Sequence, residues 1–233
     1  MIMTTAKNDR LILDLAADLR PVRRLWPPLL RALIWLAVLV ALALGLAAFA
    51  NLDAVWRRIS AAPDLWLAVL GSSMTAVLAA IAAFELSLPD APRAWAALPL
   101  PATLLWVGAS GFGCLRGFIA PQSHVAVMRE TGDCLMFIVF LSVPLSALLF
   151  AMLRRGYPLY PGLTAAIGGL AVAAAAATLL NFFHPYDAAA TDLLVHALAV
   201  AMLIAGIRAL SGRIFPAPAA PPNDVTASRV AAN

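Results

Sequence analysis

The sequence ALIWLAVLVALALGLAAFANL, at positions 32–52, contains no charged residue. A helix needs about 20 consecutive apolar residues to cross the hydrocarbon core of a bilayer. Further uncharged stretches follow at 65–84, 94–115, 134–153, 156–186 and 193–207. The last is shorter, but it reaches spanning length if Arg208 extends its guanidinium to the headgroups. We therefore predict an all-α membrane protein, a bundle of six transmembrane helices.

The composition favours a membrane protein over a soluble one. The 233 residues are 63% hydrophobic and 12% charged, whereas soluble domains are about 25% charged. The net charge of +4 does not indicate a nucleic-acid-binding domain, because the basic residues lie at the edges of the apolar stretches. Anionic lipid attracts basic residues placed there. Membrane lipid is therefore a predicted partner, and direct contact with nucleic acid is not expected.

The distribution of basic residues predicts the orientation. With a cytoplasmic N-terminus, twelve Lys and Arg residues, Arg31 among them, fall on the inner side. The outer segments hold four: Arg57, Arg58, Arg116 and Arg129. Because inner loops of membrane proteins are enriched in Lys and Arg, both termini are predicted to be cytoplasmic.

Three regions are predicted along the chain. Residues 1–28 form a cytoplasmic N-terminal regulatory helix, residues 29–211 the six-helix transmembrane domain, and residues 212–233 a disordered cytoplasmic tail rich in proline. The segments between the spans are predicted to be loops, including the stretch around Trp56 and the long outer segment Arg116–Asp133.

The N-terminal segment has an apolar stripe that needs a partner. Leu11, Ile12, Leu15 and Leu19 recur at helical spacing, and Pro21 should end the helix. A helix of about 11 residues is marginal alone in water. The stripe therefore lies on the membrane or the bundle, or it docks onto a protein partner.

Two features inside the spans predict how the helices pack. Pro144 interrupts the hydrogen bonding of the fourth span, so Ser142, Ser146 or a neighbouring helix should bond the freed backbone groups. Gly168, Gly169 and the run Ala173–Ala177 give the fifth span a smooth face for close helix contact.

Catalytic motifs are missing from the sequence, so no enzyme activity and no cofactor are predicted. The spans also contain no Asp, Glu, Lys or Arg at depth. Because proton-coupled transporters usually need such residues near the midplane, this argues against transport.

The reactive side chains gather on the predicted outer side. The candidate sensing residues are Cys114, Cys134, His184 and His196, and His124 lies between the two cysteines. Each cysteine could be a small buried hydrophobe and each histidine a satisfied interface residue. Alternatively, they form a redox or metal sensor, since thiols in an oxidising compartment form disulfides and thiolate and imidazole bind soft or borderline metals. No spacing matches a known metal site, so no metal is assigned.

Several segments resemble one family of membrane proteins. Residues 13–25, Leu-Asp-Leu-Ala-Ala-Asp-Leu-Arg-Pro-Val-Arg-Arg-Leu, followed by Pro27-Pro28, are similar to the start of NrsF-type proteins. Gly113-Cys-Leu-Arg116, Gly132-Asp-Cys-Leu135 and Leu153-Arg-Arg-Gly156 also resemble that family. NrsF-type proteins are six-helix inner-membrane anti-sigma factors of proteobacteria.

The resemblance implies that the protein sequesters an extracytoplasmic-function sigma factor at the bacterial inner membrane. The implied sigma-factor-binding residues are Leu11, Leu15, Asp18, Leu19, Arg20 and Arg23. The leucines would insert into the sigma factor, and the charged residues would set the orientation. The resemblance also implies release of the sigma factor on a periplasmic heavy-metal or redox signal.

The resemblance implies a pair of outward-facing cysteines, of which Cys134 matches the first. The second position corresponds to His184, so the family's disulfide is not available. Cys134 could instead pair with Cys114, or share a metal with His184 and His196. Two other hypotheses stay open: a small transporter or metal exporter with an outer-leaflet Cys/His entry site, and a structural membrane subunit.

Overall fold

The computed structural model describes residues 24–61, 63–119 and 128–180, with isolated positions near 9–17 and 201–206. Six α-helices and one 3-10 turn make up these residues, which contain no strand. The helices are α1 (Pro28–Ala47), α2 (Leu52–Ala61), α3 (Pro63–Leu86), α4 (Leu100–Ile119), α5 (Met128–Leu153) and α6 (Pro161–Leu180), and the 3-10 turn is Arg93–Ala97. The prediction of an all-helical chain is confirmed for this part of the molecule.

Within the described residues, four segments are long and apolar enough to cross a membrane: Pro28–Ala47, Asp64–Leu86, Arg93–Gly113 and Pro161–Leu180. They correspond to the first, second, third and fifth predicted spans. The fourth predicted span lies in α5, whose apolar part, Val139–Leu153, is shorter. The sixth predicted span lies outside the described residues, apart from helical positions 201–202 and 205–206.

Helix α2 replaces a predicted loop. Leu52, Val55 and Trp56 are spaced as on one face of a helix, and Asn51 begins the helix by accepting a hydrogen bond at Oδ1 from the Ala54 amide (3.0 Å). A side-chain oxygen at this position satisfies one of the free amides of a first turn. The charged residues that suggested a loop belong instead to an amphipathic helix with an exposed Trp56.

The predicted outer loop Arg116–Asp133 is also shorter than expected. Helix α4 continues to Ile119 and α5 begins at Met128. The prediction ended each helix where its apolar residues end. Backbone hydrogen bonding does not require apolar side chains, so both helices extend past that boundary.

The packing is centred on α3, which contacts α1, α4 and α6, while α5 packs against α6. Small residues line the contact between α3 and α6. Those that are at most 3% exposed are Ala76, Ala79, Ala80, Ala82, Ala83, Ala165, Ala171, Ala173, Ala174, Ala175 and Ala176. Gly168 and Gly169 of α6 are also buried. A Cβ atom on Gly168 would lie 3.2 Å from Cζ of Phe150, so this glycine faces α5. Such residues let helix backbones approach closely, which strengthens van der Waals contact in an apolar environment.

The two serine hydroxyls near Pro144 do not bond the backbone. The buried side-chain oxygens of Ser142 and Ser146 form no hydrogen bond within the described part of the chain. Pro144 leaves the carbonyl of Phe140, four residues earlier, without its amide donor. A neighbouring helix does bond the backbone one turn later: Trp35 of α1 donates from Nε1 to the carbonyl oxygen of Leu145 (3.3 Å).

Gly71 sets the distance between α3 and α4. A Cβ atom at this position would lie 2.7 Å from the backbone nitrogen of Trp106 and 2.8 Å from its Cα. Backbone atoms cannot rotate away as a flexible side chain can, so the two helices would have to separate.

We predict that Gly71→Ala destabilises the protein by about 1–3 kcal/mol, the usual cost of overpacking. Gly108→Ala is the matched control, because a Cβ at Gly108 has no atom within 4 Å. Alanine there should be neutral or should stabilise helix α4 by up to about 1 kcal/mol. Thermal unfolding in detergent measures both, and equal midpoints for the two variants would contradict the proposed contact.

Candidate functional site

The predicted sigma-factor-binding residues, Leu11, Leu15, Asp18, Leu19, Arg20 and Arg23, lie outside the described residues. Five positions in the same segment are described and all are helical: Asp9, Ile12, Leu13, Ala16 and Ala17. Ile12 is 62% exposed and Leu13 is 68% exposed. Two large apolar side chains on this segment therefore face away from the described part of the bundle.

The backbone positions of the two cysteines are described. Cys114 lies in the last turns of α4, and Cys134 lies in the second turn of α5. His184 and His196, with His124, lie outside the described residues. Among the residues that are described, no group of three or more His, Cys, Asp and Glu side chains could hold a metal ion.

Contacts between helix ends establish which termini lie together. Thr164 at the start of α6 and Arg31 at the start of α1 both bond to the end of α3, and Arg31 also reaches the end of α5. At the other end, a Cβ atom on Gly113 of α4 would lie 2.7 Å from Oδ2 of Asp64 in α3. We call these the Arg31 end and the Asp64 end. The C-terminal part of α4 with Cys114 and the start of α5 with Cys134 belong to the Asp64 end.

The Arg31 end contains a compact polar cluster, which we call the helix-end junction. Its residues come from four helices and the segments that follow them: Arg31, Phe84, Ser87, Met152, Gly156 and Thr164. The last four carbonyls of an α-helix have no partner within the helix. The junction supplies partners to such carbonyls at the ends of α3 and α5.

Arg31 is the centre of the junction and is only 4% exposed. Its Nη1 donates to Oγ of Ser87 (3.2 Å), and its Nη2 donates to the carbonyl oxygen of Met152. The guanidinium carbon also lies 5.0 Å from the centroid of the Phe84 ring, within the range of a cation–π interaction. A hydrogen bond to a charged group contributes about 1.5–3 kcal/mol, so these contacts offset the cost of burying the charge.

The remaining contacts close the junction around the end of α3. Thr164 Oγ1 lies 3.1 Å from the carbonyl oxygen of Leu86 and 3.1 Å from that of Tyr160. Ser87 Oγ donates to the carbonyl oxygen of Phe84 (2.6 Å). A Cβ atom on Gly156 would collide with the carbonyl oxygen of Ser87, so the turn after α5 packs directly on the end of α3.

The sequence pattern does not identify these residues. It predicts Arg31 as a charge on the inner side, whereas the structure buries its side chain in the first turn of α1. The position of Arg31, directly before an uncharged stretch, was the available signal. Ser87 lies just beyond the uncharged stretch 65–84, and Thr164 lies within the stretch 156–186. Their partners are 56 and 78 positions away, so no local pattern could identify them.

Asp64 is a second polar residue that the sequence did not single out. It is 7% exposed at the start of α3, and its carboxylate lies against the α4 backbone at Gly113, the residue before Cys114. The structure therefore places a buried carboxylate beside the helix segment that carries one of the cysteines.

Comparison with known proteins gives one match. The family model NrsF, negative regulator of sigma F, matches residues 15–215. No curated protein and no solved structure matches the chain. The matched range includes all six described helices, both cysteines and the second half of the N-terminal region 1–28.

We predict that Thr164→Val destabilises the protein by about 1 kcal/mol, because it removes the hydroxyl donor to a helix-end carbonyl in an apolar environment. Thr103→Val is the matched control. The Thr103 hydroxyl donates to Pro99 within its own helix segment (2.8 Å), and that carbonyl also receives the Thr103 amide (2.9 Å). Thermal unfolding in detergent should show the larger loss for Thr164→Val; the reverse order would refute the assigned role.

Proposed function

Because the chain belongs to the NrsF family of negative regulators of sigma F, we propose that it holds an extracytoplasmic-function sigma factor inactive at the bacterial inner membrane. The family match over residues 15–215 is the observation that carries this proposal. It favours regulation over the transporter and structural-subunit alternatives. A regulator of this kind acts by binding its partner and needs no catalytic group.

The N-terminal segment is the proposed sigma-factor-binding element. Leu11, Leu15 and Leu19 would insert into the sigma factor, while Asp18, Arg20 and Arg23 would fix its orientation. The 62% exposure of Ile12, a residue of the apolar stripe, supports this proposal, because a short helix with uncovered apolar residues gains stability by docking onto a partner.

We propose that the Arg31 end faces the cytoplasm. The segment that would bind the sigma factor joins the bundle at this end. Four exposed arginines support the same orientation: Arg24, Arg93, Arg154 and Arg155. The guanidinium carbon of Arg93 lies 3.8 Å from the centroid of the Tyr160 ring, a cation–π contact. An excess of arginine is typical of cytoplasmic membrane edges.

We further propose that the Asp64 end faces the periplasm and senses a heavy-metal or redox signal near Cys134. Cys134 would act with Cys114 through a disulfide, or with His184 and His196 through a metal. The backbone positions of the cysteines near the Asp64 end of α4 and α5 support this arrangement. The sigma factor would be released when the signal changes how these helices pack.

The double variant Leu15→Asp/Leu19→Asp in the full chain tests the binding element. Each buried leucine is worth roughly 1.5–3 kcal/mol, so the variant should lose sigma-factor binding by more than about 100-fold. Co-purification from membranes and a sigma-dependent reporter measure this loss. Ala17→Asp, at a helical position off the leucine stripe, is the control and should repress normally. Full repression by the double variant at a normal membrane level would disprove the proposal.

Replacing Cys134 with Ser tests the sensing step. This variant should keep basal repression and lose induction by an oxidant or a thiol-binding metal ion, because the reactive thiolate is gone. Cys114→Ser and His184→Ala separate the two chemistries: the first abolishes the response if a disulfide forms, the second if a metal is shared. An unchanged response in Cys134→Ser would remove this residue from the sensor.

A further inference from the structure

We propose that Arg31 is a positioning residue that couples α5, the helix carrying Cys134, to the sigma-factor-binding segment. This inference rests on the proposed function and assigns its regulation to the contacts of Arg31 with Ser87 and Met152, not to the other contacts of the helix-end junction. The Arg31 side chain joins the first turn of α1 to the last turn of α5.

The connection on the binding side is short. The Arg31 amide donates to the carbonyl oxygen of Pro27 (3.1 Å) in the first turn of α1. The chain before Pro27 is the proposed binding segment, whose last named residue is Arg23. A movement of the Arg31 side chain that displaces this first turn therefore changes where the binding segment leaves the membrane.

The connection on the sensing side is a single helix. Cys134 and Met152 both belong to α5, and their separation of 18 positions corresponds to roughly 27 Å at 1.5 Å per residue. Pro144 lies between them, where it removes one backbone hydrogen bond and lets the helix bend. A shift or bend of α5 at the Asp64 end therefore moves the Met152 carbonyl at the Arg31 end.

The Arg31 contact responds to small movements. Hydrogen bonds from charged groups require short donor–acceptor distances, and helix shifts of about 1–2 Å are common in regulated proteins. Ser87 and Phe84 hold the guanidinium against α3, the central helix of the bundle. Arg31 thus bridges α3 and α5, and displacement of α5 leaves a buried donor without its acceptor. A buried donor on a charged group is costly to leave without an acceptor, and a rearrangement of α1 would relieve that cost.

Two substitutions in the full-length membrane protein test this coupling. Arg31→Lys keeps the charge but cannot present two donors to Ser87 and Met152 in the arginine geometry. Arg31→Met keeps much of the side-chain volume without a charge, a change that buried sites often tolerate. Both should raise the unstimulated sigma-dependent reporter roughly tenfold, the effect expected from losing one charge-assisted hydrogen bond. Both should also reduce further induction by an oxidant.

Controls separate coupling from stability. Arg154→Lys, at an exposed position two residues after Met152 and outside the binding segment, should leave basal repression and induction unchanged. Thr164→Val weakens the same junction without altering the Arg31 contacts, so it should lower the thermal midpoint while preserving the response. If loss of the response merely follows loss of stability across these variants, Arg31 has only a structural role and the coupling is disproved.

The remaining outcomes are also decisive. If either Arg31 variant accumulates in the membrane and responds like the parent protein, the coupling is wrong. If neither variant accumulates, Arg31 is required for folding and the coupling is again rejected. The Leu15→Asp/Leu19→Asp variant, measured in parallel, reports on the proposed function itself. Loss of repression in that variant, with normal behaviour of the Arg31 variants, leaves the anti-sigma role intact and overturns only the coupling.

Discussion

The unpaired carbonyl groups at helix ends are the constraint on which this structure depends. In an apolar environment such groups cannot turn to water, and each one left without a donor is costly. Here side chains from other helices provide donors: Arg31 of α1 bonds to the end of α5, and Thr164 of α6 bonds to the end of α3. These long-range contacts fix how four helices meet. They also place buried polar side chains in the interior of the bundle at the Arg31 end.

Between the helix ends, the bundle relies on small side chains. Alanines of α3 and α6 allow those two helices to approach closely, and Gly71 does the same for α3 and α4. One hydrogen bond, between Thr178 and Ser72 (3.0 Å), adds a directional contact inside this surface. Small residues have little side-chain conformational entropy to lose, so close packing costs less entropy than it would with large side chains. A uniform surface of small side chains does little to fix the rotation of each helix about its axis. The helix-end junction and the hydrogen bond between Thr178 and Ser72 fix that rotation.

The cysteines and the attachment point of the N-terminal segment lie at opposite ends of the helix bundle. The cysteines belong to helix segments toward the Asp64 end, and the N-terminal segment joins the bundle at the Arg31 end. The proposed regulator answers an external signal with an internal partner, so a change at one end would have to alter helix packing at the other. A ligand or redox change shifts such a system only when two packing states bind the partner differently. Helix α5 extends from Cys134 to the carbonyl that Arg31 contacts, and the proposed coupling runs along this helix.

The sequence by itself determined the helical class, the positions of the long apolar segments and the family, because spanning length and the order of short motifs are local properties of the chain. It also indicated the small-residue face of α6. It failed at α2 and at the ends of α4 and α5, where hydrogen bonding continues a helix beyond its apolar residues. Only the tertiary structure decided that Arg31 is buried, that Ser142 and Ser146 do not bond the backbone near Pro144, and that Asp64 lies against α4. Each of these outcomes depends on which helix end meets which, and partners many positions apart leave no periodic pattern in the sequence that could identify them.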